Sequence, residues 1–463
     1  MNIEKTSAYR NEIIIFSLDV GLRLIACFLV AFFPVWVPAE SLPLIPIVGS
    51  DSIDYLSAAQ SILETGHFLN PAGAPNSFEL PGYPLLLAGA IAVFSTIFVV
   101  PFLQHIIAGI SALLLYRIGL VFSKKIAWGA ALLFIFDPAG ILYTNTILTE
   151  PLFIFFVLLA FWIIVTKAAH ILPTLISGIV LGAATMVRPV GEILVPSFLV
   201  FIGARLWPMK KKIIAYTLLF FTGFLLMIGP WLVRNKILFD RFELSAVASW
   251  QFAYAHTPLF YARLHGISDR KAVKIFHERV FTASPYKEDV RAGHTGTLRN
   301  APYMWQVARE EIKAHPFQFA LFYVSRSARF FISDGLRDIG QRIALIKEPL
   351  ANLGDLIFKG DLKSFAGAVA QNRIVLLFFI VGFASWSLIV LAMITGVLFG
   401  IVREERTKKF VLIASFLMVI IMALVAGGAV AHPRYRFSVS SFMFLLASYG
   451  FFAALDKIKQ ISY

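Results

Sequence analysis

Apolar runs of bilayer-crossing length follow one another along this chain, separated by short polar turns and by clusters of Lys and Arg. A helix needs about 20 apolar residues to cross the hydrocarbon. Backbone groups left unpaired in lipid are too costly to keep, so a chain with this pattern must build stacked helices. Composition agrees: 59% of the 463 residues are hydrophobic and the mean hydropathy is +0.78, which excludes a soluble globule with an ordinary polar surface. The net charge of +14 comes largely from bases beside apolar runs. That is the positive-inside pattern of a membrane protein and not a nucleic-acid patch. The single cysteine, Cys27, lies in an apolar run and excludes an intrachain disulfide framework.

The basic clusters orient the runs. The first run, from behind Lys5 and Arg10 to Trp36, is too long for a signal-peptide core and reads as a retained helix. Asp19 and Arg23 in it are spaced i,i+4 and suit a structural ion pair near its cytoplasmic end. Lys124 and Lys125 mark the first return inside. Residues 82–97 are therefore expected as an interfacial helix on the outer side, because a span there would force those lysines outside. Spans are then expected near 13–37, 99–123, 126–144, 149–167, 171–187, 190–206, 213–233, 373–402, 409–428 and 434–455. Residues 235–372 turn polar and mixed in charge, as an outer-side soluble or interfacial segment; 315–333 suits a helix lying in the interface, and 315–333 or 340–370 has room for a further span. The expectation is an all-α polytopic membrane protein with about ten transmembrane helices and both termini cytoplasmic. Its parts are a transmembrane module at 1–234 with its first outer loop at 38–98, the outer segment at 235–372, and C-terminal helices at 373–463.

This topology gathers ionisable groups on the outer face. Between Arg23 and Arg117 there is no Lys or Arg, yet Asp51, Asp54 and Glu79 lie there. Glu150, Arg188, Glu192, Arg234, Arg434 and Arg436 come to the same side. Carboxylates beside arginines suit two tasks, deprotonating a hydroxyl and holding an anionic leaving group. Each residue also has a plainer reading. Asp51, after Gly49 and Ser50, suits an N-cap, and it shares a helix face with Asp54 at i,i+3. Glu150 before Pro151 favours a helix dipole, and Arg188 before Pro189 suits a helix stop. Asp137 before Pro138 suits hydrogen bonding to backbone groups that the proline frees. His256, His265, His277, His294 and His315 lack the close pairing of a metal site and read as surface residues.

Six motifs in order carry a resemblance: DSIDY (51–55) followed by AAQSILETGHF, ELPGYPLLLA (79–88), ILTEPLF (147–153), MVRPVG (186–191), WLVRN (231–235) and HPRYRFSV (432–439). Over nearly the whole chain they resemble the GT-C glycosyltransferases, in the branch of the protein O-mannosyltransferases and the lipid A aminoarabinose transferase (glycosyltransferase family 39-like). The resemblance implies the GT-C fold and inverting transfer of a sugar from a polyprenyl monophosphate to an extracytoplasmic acceptor. Asp51 matches the first acid of the family's Asp-Glu pair, the proposed catalytic base, with Asp54 as second choice; Ser52 stands where the family has Glu. The lysine that often contacts donor phosphate is Leu80 here, so Arg188, Arg434, Arg436 and Arg234 are the phosphate-binding candidates. Tyr55, Glu79, Tyr83, Glu150, Glu192 and Tyr435 are candidates for substrate contact. No cofactor is expected, and a divalent metal is not favoured, since hard ions need several oxygen ligands.

The expected partners are a polyprenyl-phosphate sugar donor, an extracytoplasmic acceptor and the lipid bilayer, with no nucleic acid. Rival readings are a transporter or flippase of lipid-linked or anionic substrates, a ligase moving a whole glycan from a polyprenyl diphosphate, and a membrane scaffold. A transporter would show internal repeats and broken midplane helices, neither of which stands out. The assigned outer loops lack Asn-x-Ser/Thr sequons, which fits a bacterial inner membrane and leaves the endoplasmic reticulum open.

Overall fold

The computed structural model describes residues 2–32, 50–167, 170–291, 297–332, 361–371, 373–428 and 433–461. Helices account for nearly all of them, and no strand occurs among them. The first is α1 (Asn2–Phe32), followed by α2 (Ser50–Thr65), α3 (Gly82–Phe94) and α4 (Val99–Gly119). Next come α5 (Lys124–Ile135), α6 (Pro138–Thr144), α7 (Glu150–Lys167) and α8 (Ile171–Val187). A 3-10 turn (Pro189–Leu194) leads into α9 (Val195–Leu206) and the long α10 (Lys210–Phe239).

Among the described residues seven helices are long and apolar enough to cross a membrane, or eight if the bent pair α5 and α6 is one span. Helices stand at all ten expected positions, but two fall outside that count. Helix α8 has 17 residues, about 26 Å at the α-helical rise, which is short for the hydrocarbon without local thinning. Helix α1 carries Asp19 and Arg23 in its middle, and its expected end at residue 37 lies outside the described residues, as does 38–49 of the first loop. The bend of 56° between α5 and α6 falls at Asp137–Pro138. There Asp137 accepts a hydrogen bond from the Ala139 N–H at 3.3 Å, capping the helix that the proline opens.

Helix α3 is too short to span and packs against α2 and α8. Its first residue must be glycine: a Cβ on Gly82 would lie 2.6 Å from the Met186 carbonyl oxygen, so backbone meets backbone where α3 crosses the end of α8. That contact sets ELPGYP beside Arg188.

Residues beyond α10 form short helices: α11 (Val247–Gln251), α12 (Thr257–His265), α13 (Asp269–Ala283), α14 (Lys287–Arg291) and α15 (Ala301–Ala314). They enclose their own apolar cluster, with Phe276, Val280, Leu298, Ala301 and Met304 fully buried. His256 is also fully buried, against Phe252 and Tyr323, and is not the surface residue expected of it. His265 and His277 are exposed, and His294 lies outside the described residues.

Helix α16 (Pro316–Ile332) is two-faced. Phe317, Leu321 and Val324, at i, i+4 and i+7, are 77%, 63% and 60% exposed, whereas Ser327 and Phe330 face the bundle. That outward apolar stripe suits the interfacial placement expected for it. Beyond it, 333–360 lies outside the described residues, and with it most of the stretch considered for a further span. Helices α17 (Leu362–Gln371), α18 (Arg373–Arg403), α19 (Arg406–Val425) and α20 (Pro433–Ile461) complete the chain. Helix α20 packs along α18 and α5, its middle almost wholly buried from Phe437 to Tyr449.

The charges separate to the two ends of the bundle. Lys124, Lys167, Lys210 to Lys212, Arg403 to Lys409 and Lys457 belong to one end, where Arg205 donates to the Thr407 hydroxyl at 3.3 Å and Tyr449 to Glu404 at 2.9 Å. The starts of α2, α7 and α20 and the close of α8 meet at the other.

Candidate active site

Helix α2 presents Asp51 in its first turn, α7 opens with Glu150, α8 ends on Arg188, and α20 begins with Pro433 and Arg434. Four helix termini therefore deliver two acids and two bases to one point. Arg434 spans the acids: its Nη1 donates to Asp51 Oδ2 at 2.6 Å and its Nε to Glu150 Oε1 at 2.5 Å. Arg188 also pairs with Glu150 Oε1, and its Nη1 donates to Thr149 Oγ1 at 2.7 Å. Bonds of this charge-assisted kind are among the stronger ones available to side chains.

Exposure divides the cluster. The Glu150 side chain is fully buried and holds two guanidiniums, while Asp51, on the same Arg434, is 46% exposed. A buried carboxylate is tolerable only with such partners, so Glu150 is the fixed centre and Asp51 the member that faces solvent.

Tyrosines surround these charges. The Tyr83 hydroxyl donates to Gln104 Oε1 at 2.6 Å, and the Tyr83 ring meets Tyr55 edge-on, with centroids 5.4 Å apart. Tyr55 lies within the field of Asp51, Glu150, Arg188 and Arg434, and burial pushes its hydroxyl up to about 12. Tyr435 lies in the field of the same four groups. Burial also raises the Asp54 carboxyl, helped by the nearby Asp51 charge. Glu79 is likewise raised by burial, with Asp54 and Asp51 adding to it against hydrogen bonds that oppose the shift.

The segment joining α6 to Glu150 is pinned from three sides. Gln104 donates to the carbonyls of Thr144 at 2.9 Å and Thr146 at 2.7 Å. Ser52, fully buried, donates to the Ile147 carbonyl at 2.8 Å. Arg23, clamped by Asp19 at 2.8 Å and 3.0 Å, donates to Thr144 Oγ1 at 2.9 Å. The Asp19–Arg23 pair thus forms as its spacing predicts, but it braces the segment that leads to Glu150, at the opposite end from the basic clusters.

Three predicted residues are not brought to the cluster. Arg436 is 1% exposed, donates to the Phe330 carbonyl at 3.1 Å and lies 3.4 Å over the Trp386 ring, joining α20 to α16 and α18. It lies two positions beyond Arg434, about 200° round the helix, and so faces the other way. Arg234 donates to the Asn76 carbonyl at 2.7 Å and covers Trp231 at 4.3 Å, holding the first loop against α10. Glu192 is exposed, in the field of Glu243. Sequence reasoning passed over Thr149, Gln104 and Asn76. A glutamine inside an otherwise apolar span was the signal for Gln104, whereas Asn76 and Thr149 looked like ordinary loop polarity.

Among the described residues no three His, Cys, Asp or Glu side chains come together as a metal-ligand set. Asp51 and Glu150 are each engaged by a guanidinium, and the Ser52 hydroxyl next to Asp51 is spent on the Ile147 carbonyl. A divalent ion needs several free oxygen ligands, and both of these carboxylates are already paired with arginine.

No family model and no curated protein matches the chain by sequence. Solved structures do match it. The archaeal oligosaccharyltransferase AglB from Archaeoglobus fulgidus, in complex with an inhibitory peptide and a dolichol-phosphate, superposes with TM-score 0.52 at 15% identity, covering 97% of this chain and 51% of that one. The apo form of the Archaeoglobus fulgidus oligosaccharyltransferase gives TM-score 0.53 at 14% identity with the same coverage. The chain therefore spans about half the length of these enzymes. ArnT from Cupriavidus metallidurans bound to undecaprenyl phosphate superposes more loosely, with TM-score 0.39 at 13% identity over 93% of this chain and 77% of that one, too loosely to select a branch. With its apolar helices and this superposition, the chain is a multi-pass membrane protein of the GT-C fold.

Proposed function

We propose that the protein is an inverting membrane glycosyltransferase that moves a sugar from a polyprenyl-phosphate-linked donor to an acceptor hydroxyl on a glycan, lipid or protein outside the cytoplasm. The observation that carries this reading is the meeting of Asp51, Glu150, Arg188 and Arg434 from four helix ends. A proton acceptor stands beside two guanidiniums, the pairing that a displacement with an anionic leaving group requires. The fold neighbour described with a dolichol-phosphate supports a lipid-phosphate donor.

The acceptor oxygen attacks the anomeric carbon as its proton passes to Asp51. The bond from that carbon to the phosphate oxygen breaks, and the polyprenyl phosphate leaves with the electron pair. Arg434 and Arg188 bind the phosphate as charge grows on it, in a pocket where burial strengthens each interaction. Glu150 holds both guanidiniums in position, Tyr55 and Tyr435 line the sugar's side, and the buried Tyr83 supports Tyr55 from behind. One attack from the face opposite the leaving group inverts the anomeric centre. No step in this displacement is routed through a metal. By the positive-inside tendency, the end with Lys124, Lys210 and Arg403 faces the cytoplasm and the cluster faces outward, in a bacterial inner membrane.

Protein reconstituted in liposomes, given radiolabelled polyprenyl-phosphate sugars and an acceptor fraction, is expected to transfer label, and Asp51→Asn to lose transfer. Movement of lipid across the bilayer without transfer would favour a flippase and sink the proposal. Transfer only from a diphosphate-linked glycan would replace the monophosphate donor. Cysteines introduced at Asp54 and Lys210, in a chain lacking Cys27, are expected to label from opposite sides.

A further inference from the structure

We infer that Arg434 is a latch on the catalytic base: the phosphate of the donor competes with Asp51 for the Arg434 Nη1, so Asp51 is released to accept a proton only when donor occupies the site. The inference deepens the donor reading above and rests on it. In this structure Arg434 is committed to two carboxylates at once, Asp51 at 2.6 Å and Glu150 at 2.5 Å. An incoming donor phosphate, a diester with one negative charge and two free acceptor oxygens, competes with both carboxylates for the same guanidinium.

The two partners are not equally replaceable. Glu150 is fully buried and shared with Arg188, so detaching it would strand a charge away from water. Asp51 is 46% exposed, and water can take the place of the guanidinium. The phosphate therefore displaces Asp51. While the guanidinium holds it, Asp51 Oδ2 is taken up by the Arg434 N–H and is not presented to an acceptor hydroxyl. Once released, that oxygen is open to the acceptor hydroxyl as Arg434 turns to the leaving group. One arginine thus couples donor binding to base activation and keeps Asp51 from activating water when no donor is present. In the step itself the acceptor O–H proton goes to Asp51, the oxygen–carbon bond forms, and the carbon–oxygen bond to phosphate breaks toward Arg434.

The test is the affinity of the full chain in nanodiscs for farnesyl monophosphate, with inorganic phosphate as a parallel arm. Competition predicts that Asp51→Asn binds farnesyl monophosphate at least about tenfold more tightly than wild type. Asp54→Asn, which removes the same charge one helical turn away, should change affinity by less than about threefold. Asp51→Ser is expected to match Asp51→Asn, so the result does not hang on the folding of one variant. Equal tightening in the Asp51 and Asp54 variants would be generic charge removal and would overturn the latch, as would unchanged affinity in both Asp51 variants. Farnesyl monophosphate should bind at least about tenfold more tightly than inorganic phosphate; equal affinities would overturn a lipid-carried source. Label transfer by the wild type without tightening in Asp51→Asn removes the latch and leaves the donor reading standing. Failure of the wild type to bind either phosphate removes both.

Discussion

Glu150→Gln is the substitution that probes the centre of the site most directly, because it keeps the side-chain shape and removes the one charge that two arginines share. The buried carboxylate would become an amide facing Arg434 Nε, which sits 2.5 Å away, and Arg188. Removing one partner of a buried ion pair costs about 3–5 kcal/mol, because the surviving charge is left without compensation. Two features place this case at the lower end. Arg434 keeps Asp51, and the Arg434 and Arg188 side chains are 19% and 12% exposed, so water reaches part of each. The expected loss is about 3 kcal/mol. Equilibrium unfolding in mixed micelles measures it. The decisive arm is the double variant Glu150→Gln with Arg188→Gln. Discarding the stranded guanidinium should recover about 1 kcal/mol or more relative to the sum of the single changes. A Glu150→Gln loss under about 0.5 kcal/mol, or strict additivity in the cycle, would refute the view of Glu150 as a shared electrostatic anchor.

Ser52→Glu, which restores the acid found at this place in the resembling family, is expected to abolish transfer without creating metal dependence. The fully buried hydroxyl would be replaced by a charge with no partner, and the Ile147 carbonyl would lose its 2.8 Å donor. Recovery of activity by added Mg²⁺ or Mn²⁺ would contradict this. Asp54 and Glu79 are raised in the folded protein from ordinary values of 3.8 and 4.5, so the native state binds more protons than the unfolded chain just above those values. Their contribution is thus most favourable below that range and is lost as pH rises through the raised folded values. Asp54→Asn and Glu79→Gln should therefore increase thermal stability at neutral pH, with the gain vanishing below about pH 4. Unchanged or lower midpoints at neutral pH would count against it. Arg436→Gln should lower stability by about 2 kcal/mol through loss of its place over Trp386 and its bond to Phe330, with farnesyl monophosphate affinity within about threefold of wild type. Arg188→Gln should weaken that affinity about tenfold or more, and the reverse order would show that Arg436 is the phosphate ligand.

Much of the plan was legible because membrane solvent simplifies the problem. Lipid admits only self-satisfied helices, and basic residues mark one side. Apolar runs and lysine clusters therefore foreshadowed helices at all ten expected positions and the gathering of Asp51, Glu150, Arg188 and Arg434 at one end. The proline at 138 and its capping Asp137 were local signals, and the structure honours them. Legibility failed where a residue's role depends on which way it faces at a helix start. Arg434 and Arg436 lie two positions apart in HPRYR, and sequence treats them alike. Their directions differ by about 200° on a helix, so one reaches Glu150 and the other Trp386.

By itself, then, the sequence determined that this chain crosses a membrane many times, with basic clusters at one end and Asp51, Glu150, Arg188 and Arg434 at the other. It did so because hydropathy and charge are summed over long segments and need no knowledge of neighbours. Only the tertiary structure decided the partnerships. Asp51 and Arg434 are separated by 383 positions, Glu150 and Arg434 by 284, and Ser52 and Ile147 by 95. Such contacts follow from how α2, α7, α8 and α20 cross. That crossing depends on details such as the absence of a Cβ at Gly82, which no segment-averaged property contains.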